Sequence, residues 1–389
     1  MITIGLDKLL QSPPSYVKGK RLGLLTNQAS VNKQLIHNRL LCKNTFGNKL
    51  TTLFSPQHGF YSEKQDNMIE SQDSFDDVTG LPVLSLYGHV RKPTPEMFDD
   101  FDVLLIDLMD VGTRVYTFLY TIAYCLQTAA ECGKKVVVLD RPNPIGGTLI
   151  EGNILEEEYA SFVGMYAIPM RHGLTFAELA RFINSEYSIG ADLEIIEMEG
   201  WKRTMSFWDT GFPWVFPSPN MPSPETALVY PGQVIWEGTN ISEGRGTSLP
   251  FELFGSPFID QKEVLENLRS ADLPGCYLRS LLFQPTSGKW AHKVCQGFQL
   301  HVTHSDSFMP YRTSLVLLQA FLMLYPEQFK YKNPPYEYEF TRLPMDLILG
   351  SRDLREQLEN GTPVMELEEK WQEDLQIFDE TRKKYFLYN

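Results

Sequence analysis

Two parts of the sequence gather groups able to do acid, base or sugar-binding chemistry. The first is Trp236 to Thr247 (WEGTNISEGRGT), which sets Glu237, Asn240, Glu243 and Arg245 among Gly238, Gly244 and Gly246. Glycine lets backbone approach a ligand closely or take positive φ, so Glu237 and Glu243 can reach a common pocket. Trp208, Trp214, Phe216 and Trp236 lie nearby in sequence. Aromatic faces beside carboxylates and amides suit sugar rings, whose CH-rich faces stack and whose hydroxyls take up polar groups. The structural alternative is a turn-rich loop in which Glu243 pairs locally with Arg245.

The second part is a series of polar groups, each directly after a short apolar run. Arg21 to Thr26 (RLGLLT) is followed by Asn27 and Gln28, and Leu50 to Ser55 (LTTLFS) by Pro56, Gln57, His58 and Gly59. Val103 to Leu108 (VLLIDL) leads to Asp110, Gly112, Arg114 and Tyr116, and Lys135 to Leu139 (KVVVL) to Asp140, Arg141 and Asn143. Each single loop has a structural reading. Asp140 and Arg141 can close a turn as a local ion pair. Asp110 to Arg114 can cap a helix. His172 stands before a Thr175/Glu178 capping-box pattern and can belong to helix entry as well as to a substrate contact. His58, in the tight Pro56–Gly59 turn, is read as a site residue. His301 and His304 sit at an odd spacing on or near a strand and face opposite sides, so a shared metal is not expected.

Several kinds of chemistry lack their residues. No GxGxxG follows the first apolar run, and GxxxxGK[ST], HExxH and GxSxG are absent. A nucleotide-cofactor enzyme would lack its phosphate turn. Carboxylates and neutral polar groups remain, and glycoside hydrolysis is the commonest reaction they perform.

The elements that must position these groups read as α/β. The apolar runs are strands, Val83 to Tyr87 is a further one, and Tyr116 to Cys132 has helical length and composition. Strand, helix, strand at this spacing is a βαβ unit, so the sheet is at least partly parallel. Ligands bind beyond the carboxyl ends of such strands, where the polar series falls. Pro213 to Pro231 is crowded with proline and reads as an ordered crossing that is neither regular helix nor central strand. Beyond it, Gln299 to Thr303 alternates like a strand, Tyr311 to Leu324 is an apolar helix stopped by Pro326, and Met345 to Asn360 and Met365 to Tyr385 are amphipathic helices. Two domains are expected, 1–224 and 225–389; 389 residues exceed one ordinary core.

The net charge of -14 disfavours partners held by their phosphates, whether nucleic acid or anionic lipid. Five widely spaced cysteines contain no CxxC pair, so neither a zinc knuckle nor a redox dithiol is expected. The first residues show no basic start followed by a long apolar run, and no stretch approaches a membrane span. The cytoplasm is therefore the expected compartment.

Over nearly its whole length the chain resembles the NamZ-type exo-β-N-acetylmuramidases, a glycoside hydrolase family formerly catalogued as a domain of unknown function. The resemblance is carried by GLLTNQAS (Gly23 to Ser30), SPQHGF (Ser55 to Phe60), LPVLSLYG (Leu81 to Gly88), DLMDVGTRVYTF (Asp107 to Phe118) and LDRPNPIGG (Leu139 to Gly147). It continues through RHGLTFAELA (Arg171 to Ala180), PSPNMPSPETALVYPG (Pro217 to Gly232) and EGTNISEGRGTSLPFELFGSPFID (Glu237 to Asp260).

The resemblance implies a Rossmann-like N-terminal domain, a smaller C-terminal α/β domain and a site in the cleft between them. It implies release of N-acetylmuramic acid (MurNAc) from the non-reducing end of peptidoglycan fragments, with no metal or nucleotide. Many members have Glu where this chain has Gln57, and the resemblance points to that position for acid catalysis. Glutamine cannot exchange the proton. The expected substitutes are Glu70 and Glu243, with His58 beside them, and Glu63 is a further nearby acid. Asp110, Tyr116 or Asn240 is expected to orient the acetamido group. Arg114, Arg141 or Arg245 is expected to fork onto the lactyl carboxylate. Asn27, Gln57, Asn143, His172, Asn220 and Glu237 complete the expected substrate contacts. Gln57 also leaves open a binding protein without turnover, or a glycosidase with another substrate.

Overall fold

The computed structural model describes residues 2–389. Seven strands form one sheet: Leu22–Thr26 (β1), Leu50–Ser55 (β2), Ser74–Asp76 (β3), Leu81–Ser85 (β4), Val103–Asp107 (β5), Lys135–Leu139 (β6) and Asp192–Ile196 (β7). Their order is β3-β4-β2-β1-β5-β6-β7, with every neighbouring pair parallel except β3 and β4. The chain winds outward from β1 through β2 to β4, then returns to the other side of β1 for β5, β6 and β7. The order reverses between β1 and β5, where an open parallel sheet leaves a crevice at its carboxyl edge.

The strands are apolar at consecutive positions because both faces are covered. Leu104 and Ile106 of β5 face a core shared with the helices Phe118–Cys132 and Phe176–Glu186. Val103 and Leu105, of opposite parity, face a second core with Leu6, Leu9 and Cys42 of the helices Gly5–Gln11 and Asn38–Phe46. The Thr175/Glu178 capping box is present on the helix it was expected to start.

Three further strands, Leu253–Ser256 (β8), Cys276–Phe283 (β9) and Cys295–Val302 (β10), form an antiparallel sheet in the order β8-β10-β9. The C-terminal helix Val364–Lys383 returns to the first part of the chain. There Arg382 donates to the carbonyls of Gly147, Thr148 and Gly173, and the Tyr388 hydroxyl donates to Asp140.

Two expectations about elements are corrected. The proline-rich crossing contains a helix, Pro224–Gln233. Pro224 stands in its first turn, where a missing N–H removes no helical bond, and Pro231 comes close enough to the end to interrupt only the last turn. Packing sustains the helix: it lies against Pro310–Leu324 so closely that a Cβ on Gly232 would fall 1.9 Å from the Pro310 carbonyl oxygen. Met345 to Asn360 is two helices, Pro344–Leu349 and Arg352–Glu359, broken at Gly350 with φ of 69° and restarted by the Ser351 cap.

That break explains Arg114. A helix end exposes carbonyls without partners, and the buried Arg114 guanidinium donates to those of Ile348 and Leu349, as well as to Asn153 and Ile168. Its fork is engaged by backbone carbonyls and does not line the pocket at the carboxyl edge of the sheet. Arg141 likewise does not pair with Asp140. Its guanidinium grips Asp107 at the end of β5 and donates to the Val31 carbonyl, while Asp140 accepts from Thr175, Ala177 and Tyr388.

Arg141→Met would leave the buried Asp107 carboxyl without its cation. The expected loss is about 3–5 kcal/mol of unfolding free energy, read by urea denaturation. A loss below about 1 kcal/mol would contradict this structural role.

Candidate active site

At the carboxyl edge of the sheet the loops after β2, β4 and β5 meet two segments from the later chain, Glu237–Arg245 and the turn at Tyr336–Glu339. They enclose a pocket lined by Gln57, His58, Asn67, Tyr116, Thr117, Asn220, Glu237, Arg245, Tyr336 and Glu337, among others. Glu337 is the residue the sequence did not reveal. It reaches the pocket from a two-residue hairpin in which Tyr336 and Glu339 exchange backbone hydrogen bonds. Both central residues, Glu337 and Tyr338, have positive φ, 46° and 65°. Such turns normally carry Asn or Gly. Two bulky residues there are strained, and strain of that kind concentrates at functional positions.

The Glu337 carboxyl group is 4% exposed as a residue and bound on both oxygens. Oε1 accepts from the Gln57 side-chain N–H at 2.9 Å, and Oε2 accepts from the Tyr87 hydroxyl at 2.6 Å. Gln57 is fixed from its other side, where its carbonyl oxygen accepts from Thr117 Oγ1 at 2.5 Å. Burial pushes the Glu337 pKa up to about 7; the two donated bonds oppose the rise and the nearby charge of Glu237 adds to it. Near neutral pH this carboxyl can carry a proton.

Glu237 stands in the same pocket in the opposite state. Burial alone would raise its pKa, but the Arg245 guanidinium at 2.6 Å and the Tyr336 hydroxyl at 2.5 Å outweigh it and hold the group below the usual carboxylate range. Asn67 adds a third donor at 3.1 Å. Neighbouring carboxyl groups whose environments push their pKa values apart are the pattern of an acid and an ionised partner.

The pocket also collects several residues singled out from the sequence. Gln57, His58, Tyr116, Asn220, Glu237 and Arg245 line it. His58 has φ of 74° and donates its Nδ1 proton to the Lys64 carbonyl, which leaves Nε2 as the acceptor of a neutral ring. Burial lowers its pKa to about 4. The Tyr116 hydroxyl is buried beside Ser218 and makes no well-formed hydrogen bond among the described residues. Asp110 stands outside the lining; one of its oxygens accepts from the Gly112 N–H, the other has no partner, and burial raises its pKa to about 7.

Other expected contacts are placed elsewhere. Asn27 donates to the Pro217 carbonyl and Asn143 to that of Leu174; both are buried in loop packing. His172 is buried, accepts from the Leu174 N–H, and its pKa falls to about 3 through burial beside Arg382 and Arg171. Glu70 is exposed, with the Tyr338 hydroxyl 3.5 Å away. Glu243 is bound by Lys289 at 2.7 Å and Arg245 at 3.2 Å and faces an outer cleft, where Asn240 also lies. Trp236, expected as a sugar platform, is fully buried and stacked on Phe254. Among the described residues no group of three His, Cys, Asp or Glu side chains is placed to share a metal ion.

The pocket holds only about 30 Å³, room for a water or two and not for a pyranose. The cover is the segment Ser62–Met68. Its Gln65 carbonyl accepts from Asn220 and Arg245, Asn67 donates to Glu237, Ser62 to the Pro217 carbonyl, and the Met68 N–H to Tyr87. Asn67→Ala combined with Asn220→Ala removes two of the latches. Amide exchange across Ser62–Met68 is then expected to quicken by about tenfold or more, the effect of losing on the order of 1.4 kcal/mol of latch. Unchanged exchange would contradict the latch.

The comparisons with known proteins agree with this architecture. The model for the N-terminal part of exo-beta-N-acetylmuramidase NamZ matches residues 22–225, and that for its C-terminal part matches residues 228–388. The peptidoglycan beta-N-acetylmuramidase NamZ of Bacillus subtilis (strain 168) is 46% identical over 387 residues, covering 100% of this chain and 91% of that one. Two crystal structures of DUF1343 family proteins from Bacteroides fragilis NCTC 9343 are also similar. One superposes with a TM-score of 0.90 at 33% identity and the other with 0.77 at 27%, each covering 100% of this chain and 99% of the other. With both family models together spanning nearly every residue, the chain belongs to the exo-β-N-acetylmuramidase NamZ family.

Proposed function

We propose that the chain is a glycosidase that releases MurNAc from the non-reducing end of peptidoglycan fragments, with Glu337 as the acid. The observation that carries this reading is the pair in one pocket, Glu337 raised to about 7 and Glu237 held ionised. The protonated Glu337 gives its proton to the glycosidic oxygen as the bond to the anomeric carbon breaks. The Glu237 carboxylate stabilises the positive charge that develops on the sugar ring. The Tyr116 hydroxyl is the group available in the pocket wall to hold the acetamido carbonyl, which can itself attack the anomeric carbon. Water then adds to that carbon and gives a proton to the Glu337 carboxylate, which restores the acid and frees MurNAc.

Gln57 has a place in this scheme. The resemblance puts a glutamate at its position in many relatives, and here a neutral amide bonds directly to Glu337. The carboxyl function is thus supplied from the other side of the same hydrogen bond. Gln57 also motivates the rival reading, a protein that binds amino sugars without cleaving them.

The reaction fits recycling of wall fragments in the cytoplasm. Cys42, Cys125, Cys132, Cys276 and Cys295 are unpaired, so the fold relies on no disulfide and is compatible with a reducing compartment. No helix among the described residues is long and apolar enough to cross a membrane.

Incubation with MurNAc-GlcNAc disaccharide and measurement of free MurNAc tests the proposal. The wild type is expected to release it, Glu337→Gln to lose about 10²–10⁴-fold in kcat, and Glu237→Gln to lose a comparable factor. Retained activity in Glu337→Gln would remove Glu337 from the role. Binding without release by the wild type would favour the sugar-binding reading.

A further inference from the structure

Outside the inner pocket lies a cleft of about 630 Å³ that shares Asn67, Glu237 and Arg245 with it. The shared residues make Glu237 the boundary between the two spaces. When the Ser62–Met68 strap lifts, they join into one trench, narrow at the Glu337 end and open at the other.

The open end is walled by Trp290, Asn240, Thr239 and Lys289. Trp290 has φ of 57°, a strained conformation for a bulky residue. Its indole N–H donates to the Asn240 carbonyl at 2.6 Å. Asn240 is itself clamped, its side chain donating to the Gln328 carbonyl and accepting from the Lys330 N–H. The ring is therefore held by a fixed support. Lys289 is wall and not ligand, because its ammonium already donates to the Trp236 and Ile241 carbonyls and to Glu243.

The charges of this cleft cancel. Asp66, Glu237 and Glu243 are balanced by Arg245, Lys289 and Lys332. A polyanion would find no excess of cations, whereas a neutral ring with an apolar face and hydroxyl edges matches an aromatic wall beside fixed polar groups.

We infer that this cleft is the subsite for the leaving group, that it takes a neutral N-acetylhexosamine, and that Trp290 is its ring platform. The inference rests on the muramidase reading above. It assigns the inner pocket to the terminal sugar and the outer cleft to the next one.

The test compares two substrates that differ only beyond the scissile bond: MurNAc-GlcNAc disaccharide and MurNAc β-fluoride, whose leaving group is too small to enter the cleft. kcat/KM is measured for the wild type, Trp290→Ala and Trp290→Phe. In Trp290→Ala the loss on the disaccharide is expected to exceed the loss on the fluoride by about tenfold. Trp290→Phe, which keeps an aromatic face and guards against misfolding of the smaller variant, is expected to fall between. Equal losses on both substrates, or none in either variant, would overturn the subsite. A wild type that hydrolyses neither substrate would instead sink the muramidase reading, and the subsite with it.

Discussion

A carboxyl group withdrawn from water keeps its proton unless something nearby favours the charge, and the site is arranged around that constraint. Glu337 is buried where its two bonds, from Gln57 and Tyr87, only partly offset the loss of water, so its pKa settles at about 7. Glu237 is equally buried, but it has a guanidinium and a short phenolic hydrogen bond, and it stays charged. The difference between the two is a cation in direct contact: Arg245 bonds Glu237, whereas Arg91 acts on Glu337 only from a distance. Arg245 also binds Glu243 and the Gln65 carbonyl, so the group that ionises Glu237 also helps to latch the strap over the pocket.

The surrounding fold exists to keep this arrangement dry and fixed. The parallel sheet delivers Gln57, Tyr87 and Thr117, from the segments that follow β2, β4 and β5, to one edge. Burial of both sheet faces then makes those strand ends stiff. The later chain sets the carboxyl groups of Glu237 and Glu337 against that edge. Arg114 and Arg382 tie the two parts together through backbone carbonyls. The strain of a two-residue turn built from Glu337 and Tyr338 is offset by the Tyr87 and Gln57 bonds on one residue and by Arg91, 3.4 Å over the Tyr338 ring, on the other.

Much of the scaffold was legible because strand burial leaves consecutive apolar residues. Four of the five β-strands read from apolar runs in the first part fall within a residue of their observed limits, and Leu50–Ser55 and Lys135–Leu139 coincide with them. The polar series after those strands falls at the edge where the pocket lies, since a parallel sheet sends every carboxyl end to the same side. Which residues line the pocket was less legible. Charge at a strand end says nothing about whether a guanidinium will meet a substrate or a helix terminus, and Arg114 and Arg141 met backbone and Asp107. Glu337 lies in PPYEYEF, where neither helical nor strand period marks it, and it comes to Gln57 across 280 residues of sequence. The one local sign was a tight turn lacking the glycine or asparagine its geometry wants, and that sign is visible only once φ is known.

The dependence of kcat/KM on pH tests the central claim most directly, because it reports the ionisations of the free enzyme. With Glu337 as a required acid, activity is fully present below its pKa and is lost as pH rises through about 7. With Glu237 required as a carboxylate, activity persists on the acid side to below the usual carboxylate range. Gln57→Glu should displace the alkaline limb upward, since a second carboxylate beside Glu337 opposes its ionisation. A profile that stays flat well above pH 7, or a limb that Gln57→Glu leaves in place, would contradict the account.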